Sequence, residues 1–334
     1  MSAPNVRPRR LFTKPRVLAT TVVLTALALT ACSSGGSNPA ASVGSKKQLK
    51  FGLIIMDTTN PFQATMAAAA EAEAKKRGIM TETLNGNLNI SNQVAHIQQQ
   101  IAKGVDALIV NAVDPDGILP AIKLANAAKI PVFALNTNPG KGADIVTFVG
   151  ADDYQYGLAQ GDLVAKALNG KGNVALIMGQ VGTSPQILRT KGIEETLAKY
   201  PNIKIVAKVA DDWKNAKSLA AVQDLLTKYP VGQLDVIVAQ GPQIYVGAQW
   251  AAKQGRTDVK FIAGDYPTQV SQSIKDGQIY GTVLQSPETE GQMAIDLAQK
   301  YVQGDKSVAK PNTYIKLPLI TQENVSEYQT VWNW

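Results

Sequence analysis

The stretch Gly104-Val105-Asp106-Ala107-Leu108-Ile109-Val110-Asn111 carries the decision about the fold. Residues 107–110 form an apolar run without polar alternation, the pattern of a strand covered on both faces. Just upstream, residues 91–103 read as a helix with Val94, Ile97 and Ile101 on one face, feeding that strand. Further back, an apolar segment over 49–56 precedes Asn60-Pro61, which open a helix that stops at Gly78. A polar cap, a proline in the first turn and a glycine at the end are matched start and stop signals. Downstream come a helix over 118–129 and strands over 131–135 and 145–149. Strand, helix and strand in this order build a layered unit around a parallel sheet.

The pattern then restarts. Helices over 156–168, 186–199, 216–228, 245–254 and 269–276 alternate with strands over 174–178, 203–207, 236–238, 261–263 and 280–284. One open twisted sheet rarely holds so many strands, so two similar α/β domains in series are expected.

The N-terminal segment has a separate purpose. Arg7, Arg9, Arg10, Lys14 and Arg16 precede an uncharged apolar stretch over 17–31. That is the order of a secretory signal, and the stretch falls short of the roughly 20 apolar residues that span a bilayer. It ends in Leu29-Thr30-Ala31-Cys32, which resembles a bacterial lipobox: small residues fit a peptidase and the thiol accepts diacylglycerol. Residues 33–45 are uncharged and rich in Ser, Gly and Ala, the composition of a flexible tether. The expected division thus begins with a lipoprotein signal peptide over 1–31 and a tether over 32–46. Cys32 would carry the lipid and hold the protein to the extracytoplasmic face of the cell membrane.

Removing that segment changes what the formal charge of +7 means. Five of the 33 basic residues and none of the 26 acidic ones lie within 1–31, leaving 28 against 26, or +2. Such a balance gives no support to a nucleic-acid partner. Cys32 is the only cysteine, which excludes an internal disulfide, and its consumption by lipid would leave no thiol nucleophile.

In parallel sheets, ligands gather at the carboxyl ends of the strands. There the chain carries Asn60, Phe62 and Gln63 after the first strand, Asn111 after residues 107–110, and Asn136 and Thr137 after 131–135. Arg189, Trp213, Asp265 and Gln285 hold equivalent places in the second half. Amides, a carboxylate, one arginine and two aromatics suit a small hydroxylated ligand, whose C–H faces stack on rings while its hydroxyls bond to side chains. Each has a plainer reading: Trp213 as core, Asp265 as a helix cap, Arg189 in a surface ion pair, and Asn60 as an N-cap alone. Trp332 and Trp334 are expected to pack against a lobe and carry no chemistry.

Enzyme chemistry finds little footing. The single histidine, His96, lies two positions from Val94 on the same helix and should face solvent, leaving Ser-His catalysis without a base. No phosphate-binding glycine loop occurs, and Asp114-x-Asp116-Gly117 lacks the remaining ligands of a calcium loop. Spacing alone leaves a two-carboxylate glycosidase open, since Asp152, Asp153, Asp211, Asp212 and Asp265 are present, but no acid-base set assembles. No catalytic residue, metal or cofactor is expected.

Over essentially its whole mature length the chain resembles the periplasmic sugar-binding proteins of the ribose-binding type. The resemblance rests on Asn60-Pro61-Phe62, on residues 104–111, on Gly182-Thr183-Ser184 followed by Arg189 and Gly192, on Gly264-Asp265 and on Gln285. It implies a type I periplasmic binding protein fold: two Rossmann-like three-layer α/β lobes with parallel sheets, joined by a three-strand hinge. The implied division is a first lobe of 47–151 plus 285–311, including a returning helix over 288–304, and a second lobe of 152–284 plus 312–334. By the same resemblance Phe62 and Trp213 sandwich a sugar ring, while Asn111, Arg189, Asp265 and Gln285 bond to it.

Departures bear on the cargo. Gln63, Asn136-Thr137 and Gly241-Pro242 stand where the family often has a second aromatic, an Asp-Arg pair and Asn-Asp. A site built around a given hydroxyl rejects ligands that cannot satisfy it, so these changes move specificity away from ribose toward a polyol or another sugar. The expected protein is a monomeric solute-binding lipoprotein of an ABC importer, with a sugar or polyol as ligand and a membrane permease as partner. A receptor subunit presenting a signal molecule to a membrane sensor is the alternative, because one fold serves both.

Overall fold

The computed structural model describes residues 47–330 and 332–334. The expected signal peptide and tether, with Cys32, lie outside the described residues.

The first sheet is laid down by β1 (Lys50–Ile55), α1 (Pro61–Lys76), β2 (Met80–Asn85), α2 (Ile90–Ala102), β3 (Ala107–Val110), α3 (Leu119–Ala127), β4 (Val132–Leu135) and β5 (Thr147–Gly150). Every residue of β3, β4 and β5 is buried, as an uninterrupted apolar strand between two helical layers demands. The α1 helix starts where the sequence said: Asn60 Oδ1 accepts from the backbone N–H groups of Phe62 and Gln63, and Pro61 occupies the first turn. Strand β2 was not anticipated. It is an edge strand, Met80 to Asn85, whose residues are partly exposed, so burial never imprinted an apolar pattern on it.

The chain then builds a second sheet from α4 (Asp153–Leu168), β6 (Lys171–Met178), α5 (Ser184–Leu197), β7 (Asn202–Ala210), α6 (Asn215–Lys228), β8 (Val236–Ala239), α7 (Tyr245–Lys253), β9 (Lys260–Gly264), α8 (Thr268–Lys275) and β10 (Gly281–Val283). It returns with α9 (Pro287–Val302), β11 (Asn312–Tyr314) and β12 (Leu319–Thr321). Both sheets have six strands, in orders β11-β5-β4-β3-β1-β2 and β12-β10-β9-β8-β6-β7, parallel except for β12. Apolar clusters lie on each face of each sheet. These are the two three-layer α/β lobes read from the sequence.

Two expectations about the lobe boundary change. The return to the second lobe was expected after residue 311, yet Asn312–Tyr314 pair in parallel with β5, because the open edge of that strand offers unpaired backbone groups to whatever chain passes it. The crossing falls after Ile315, whose N–H still bonds to Gly150, and before Pro318, whose carbonyl bonds to Leu284. Trp332, expected in the second lobe, is buried in the core cluster of the first. The α9 helix seats directly on α1: a Cβ added at Gly291 would fall 2.2 Å from the Met66 carbonyl oxygen.

Candidate functional site

The carboxyl ends of both sheets converge on a cavity of about 50 Å³. Asn60, Phe62 and Gln63 reach it from the start of α1, Asn136 and Thr137 from the end of β4, Arg189 from α5, and Trp213, Asp265 and Gln285 from the loops after β7, β9 and β10. The backbone at three of these positions, Asn136 (φ 62°), Trp213 (φ 59°) and Asp265 (φ 55°), lies in the left-handed region. Non-glycine residues occupy that region only where surrounding structure holds them, and they cluster at binding sites.

Trp213 illustrates how the local sequence arranges this. Asp211, buried, accepts from the Trp213 N–H at 3.1 Å and from Gln243 Nε2 at 2.6 and 2.7 Å, tying down the turn. The indole lies on bare backbone: a Cβ at Gly179 would fall 1.8 Å from Trp213 Cζ2, and one at Gly241 2.8 Å from Cε3. Trp213 is thus a seated, partly buried cavity wall and not a core residue. Burial pushes the Asp211 carboxyl up to about 6, against the amide and backbone donors that lower it.

Arg189 forms the floor. Its Nε donates to Asp153 at 2.8 Å, Nη1 to the Gln240 carbonyl at 2.8 Å and Nη2 to Gln285 Oε1 at 2.6 Å, and its guanidinium lies 3.8 Å from the Tyr156 ring centroid. With 3% of its surface exposed it is no surface ion pair. Asp265 does not cap α8. Its carboxylate accepts from the Tyr156 hydroxyl at 3.1 Å, its N–H donates to the same oxygen at 2.6 Å, and Arg189 Nη1 lies 3.9 Å away. Burial raises the Asp265 carboxyl to about 6 although Arg189 and Tyr156 lower it.

Asn111 departs from expectation, being fully buried beneath the cavity. Its Oδ1 accepts from the Met56 N–H at 3.0 Å and its Nδ2 donates to Leu135 O and Thr137 Oγ1. The polar end of a strand in the sheet's middle must satisfy neighbouring loops, so Asn111 braces the β1 and β4 loops that present the wall. Gln63 lines the cavity while its Oε1 accepts from the Asp57 N–H at 2.7 Å, and the Thr137 hydroxyl donates to Ala112 O at 2.8 Å. His96 is half-buried, not solvent-facing: its Nε2 sits 3.0 Å from the Asn85 carbonyl on the β2 edge.

Met56, Thr183, Pro185 and Trp334 also line the cavity; Thr183 stands in the Gly182-Thr183-Ser184 stretch that carries the resemblance, whereas Met56 and Trp334 were not read as site residues. Glu290, behind the wall, was missed too. Its Oε1 accepts from Gln285 Nε2 at 2.6 Å and its Oε2 from Asn136 Nδ2 at 3.0 Å, and burial lifts it to about 8. Only its place in the first turn of α9 marks it in sequence, where an acid reads as a helix-terminus charge. Among the described residues no cluster of His, Cys, Asp and Glu could hold a metal, and no helix is long and apolar enough to cross a membrane.

A cleft at the facing carboxyl ends of two α/β lobes, with rings on its walls and a charged floor, defines a two-lobed binder of small solutes. The chain belongs to the family described as periplasmic binding protein domain, whose model matches residues 51–306. It is 31% identical over 300 residues to a xylitol-binding protein of Mycolicibacterium smegmatis, covering 90% of this chain and 83% of that one. It is 30% identical over 266 residues to the ribose import binding protein of Salmonella typhimurium, covering 79% of this chain and 88% of that one. An ABC transporter solute binding protein of Bacillus halodurans, solved with bound myo-inositol, superposes with a TM-score of 0.79 at 25% identity, covering 85% of this chain and 98% of that one. The chain is therefore a solute-binding transport protein of the ribose-binding type, with an extracytoplasmic location, and not an enzyme.

Proposed function

We propose that the protein captures a sugar or polyol in the cavity between its lobes, closes on it by hinge motion, and delivers it to a membrane permease of an ABC importer. The observation that carries this reading is the composition of one small cavity: the rings of Phe62 and Trp213 beside Asn136, Arg189, Asp265 and Gln285. Rings suit the C–H faces of a polyhydroxylated molecule, and the amides, carboxylate and guanidinium suit its hydroxyls. Relatives named for xylitol and ribose agree with that class of cargo. Ligand contacts from both lobes favour the closed form, since a ligand shifts an equilibrium by its differential affinity.

The Leu29-Thr30-Ala31-Cys32 sequence supports anchoring by a lipid on Cys32, with residues 33–45 as the tether that lets the lobes reach the permease. The first lobe would comprise 47–151 with 285–315 and the second 152–284 with 316–330, and the protein would act as a monomer.

The test is a thermal-shift screen of the full chain against xylitol, ribitol, D-ribose, D-arabinose, D-allose and myo-inositol. A ligand that binds only the folded state stabilises it by RT ln(1 + [L]/Kd), about 2.7 kcal/mol at a hundredfold excess over Kd. At least one of these raises Tm by several degrees, and its effect is lost in Asp265→Ala. No shift with any of them contradicts the cargo class.

A further inference from the structure

Trp334 lines the cavity alongside Trp213, although about 120 residues separate them in sequence. It is held from the second lobe. Its indole Nε1 donates to Asn215 Oδ1 at 2.9 Å, its backbone N–H donates to Gln269 Oε1 at 2.9 Å, and its carbonyl accepts from Gln269 Nε2 at 3.0 Å. Two residues earlier the arrangement reverses. The Trp332 ring is buried in the first lobe's core, edge-on to Phe62 at 5.6 Å and 87°, while its carbonyl accepts from the N–H and hydroxyl of Thr268, both at 3.0 Å. The two indoles meet edge to face at 6.2 Å. Residues 332 and 334 thus tie a ring in one lobe to backbone bonds on the other.

A second recess of about 260 Å³ adjoins the inner cavity and shares Asn60, Gln63, Trp213 and Trp334 with it, its remaining walls including Asp57, Asp212 and Lys214 at the rim. The two tryptophans therefore stand on the partition between the inner cavity and the outer recess. The single polar atom of the Trp334 ring is already engaged by Asn215, so what Trp334 turns to the cavity is apolar ring surface.

We infer that Trp334 is a ligand-contacting residue that closes the cavity over the apolar face of the bound polyol or sugar, with Trp332 as the hook that couples it to the first lobe. The inference rests on the reading of the cavity as the solute site. A ring on the partition contributes stacking area and blocks escape into the outer recess, so its loss weakens binding and leaves the two lobes folded.

The experiment is isothermal titration calorimetry of the full chain with xylitol, D-ribose and myo-inositol, comparing wild type, Trp334→Ala, Trp334→Phe and Trp213→Ala. Trp334→Ala weakens the tightest of the three by about tenfold, the size expected for one lost aromatic face. Trp334→Phe keeps affinity within about threefold, because a ring remains. Unchanged affinity in Trp334→Ala, beside a loss in Trp213→Ala, overturns the inference and leaves the site reading intact. Should Trp334→Ala melt far below wild type without ligand, Asn215→Ala, which releases the indole nitrogen and a 3.4 Å bond to the Tyr245 hydroxyl but keeps the ring, decides instead: weaker binding supports the inference and unchanged affinity overturns it. Binding by wild type of none of the three, nor of ribitol, D-arabinose or D-allose titrated in the same way, overturns the reading of the cavity and the inference with it.

Discussion

The amide oxygen of Gln285 accepts a 2.6 Å hydrogen bond from Nη2 of Arg189, and this one contact sets the direction of a chain of bonds that crosses between the lobes. Arginine has no acceptor, so the Gln285 oxygen must face it and the Gln285 Nε2 must point the other way, to Glu290. Glu290 in turn accepts from Asn136 at the end of β4. An arginine of the second lobe is thereby linked to an asparagine of the first through a glutamine on the crossover and a buried carboxyl.

Glu290 makes this chain pH-sensitive. Its folded value of about 8 lies above the ordinary 4.5, so the folded state holds its proton more tightly than the unfolded chain. The sign follows: the stabilising effect is full below about pH 4.5 and is lost as pH rises toward 8. Asp265 and Asp211, both raised from 3.8 to about 6, act the same way at lower pH. Thermal melts without ligand are expected to show Tm falling from pH 5 to pH 8 by a few degrees or more, on the scale of about 2–4 °C per kcal/mol. Glu290→Gln flattens the part of the fall above pH 6. A slope identical to wild type in that variant contradicts the placement of Glu290.

Trp213 depends on the two glycines beneath it. Gly179→Ala drives a methyl into the indole and displaces it, costing about tenfold in affinity for the ligand found by thermal shift, close to the loss in Trp213→Ala. Because the clash is with one ring at the cavity wall, urea midpoints of the two variants should stay near each other. Retained affinity in Gly179→Ala measured by calorimetry would show that the ring does not touch the ligand.

At the cavity rim the Asn138 N–H donates to the Ser184 hydroxyl at 2.9 Å, joining the loop after β4 to the first residue of α5. On the proposed hinge motion, this bond would break as the lobes part. Ser184→Ala removes about 1 kcal/mol from the closed form, which corresponds to roughly fivefold weaker ligand binding. Small-angle scattering without ligand should record a larger mean radius of gyration than for wild type.

The seat between α1 and α9 has no room for a side chain. Gly291→Ala places a Cβ 2.2 Å from the Met66 carbonyl oxygen, forcing the helices apart at a cost of about 1–3 kcal/mol in urea unfolding. The shift also moves Glu290, one residue away, so affinity falls together with stability.

Much of this site is legible in the sequence because function in a parallel sheet gathers where apolar strands stop. Phe62, Asn136 and Asp265 each follow such a strand closely, and the polarity change at the strand end marks them, while Trp213 follows the more polar β7. Asn111 follows the same rule but lies buried beneath the cavity, since strand-end amides in the middle of a sheet also brace loops. Glu290 and Trp334 are invisible to that rule. One is placed by helix packing around Gly291 and the other by bonds to the side chains of Gln269 and Asn215, and neither long-range contact leaves a local periodicity. Strands β2 and β11 escaped for a related reason, being short or partly exposed pairings on sheet edges.

The most direct measurement is a crystal structure of the protein grown with the tightest-binding of xylitol, D-ribose and myo-inositol. The account predicts that molecule in the cavity between the lobes, with carbon faces against Phe62 and Trp213 and hydroxyls bonded to Asn136, Arg189, Asp265 or Gln285. Density for it elsewhere on the protein, with the cavity holding only solvent, would contradict the account.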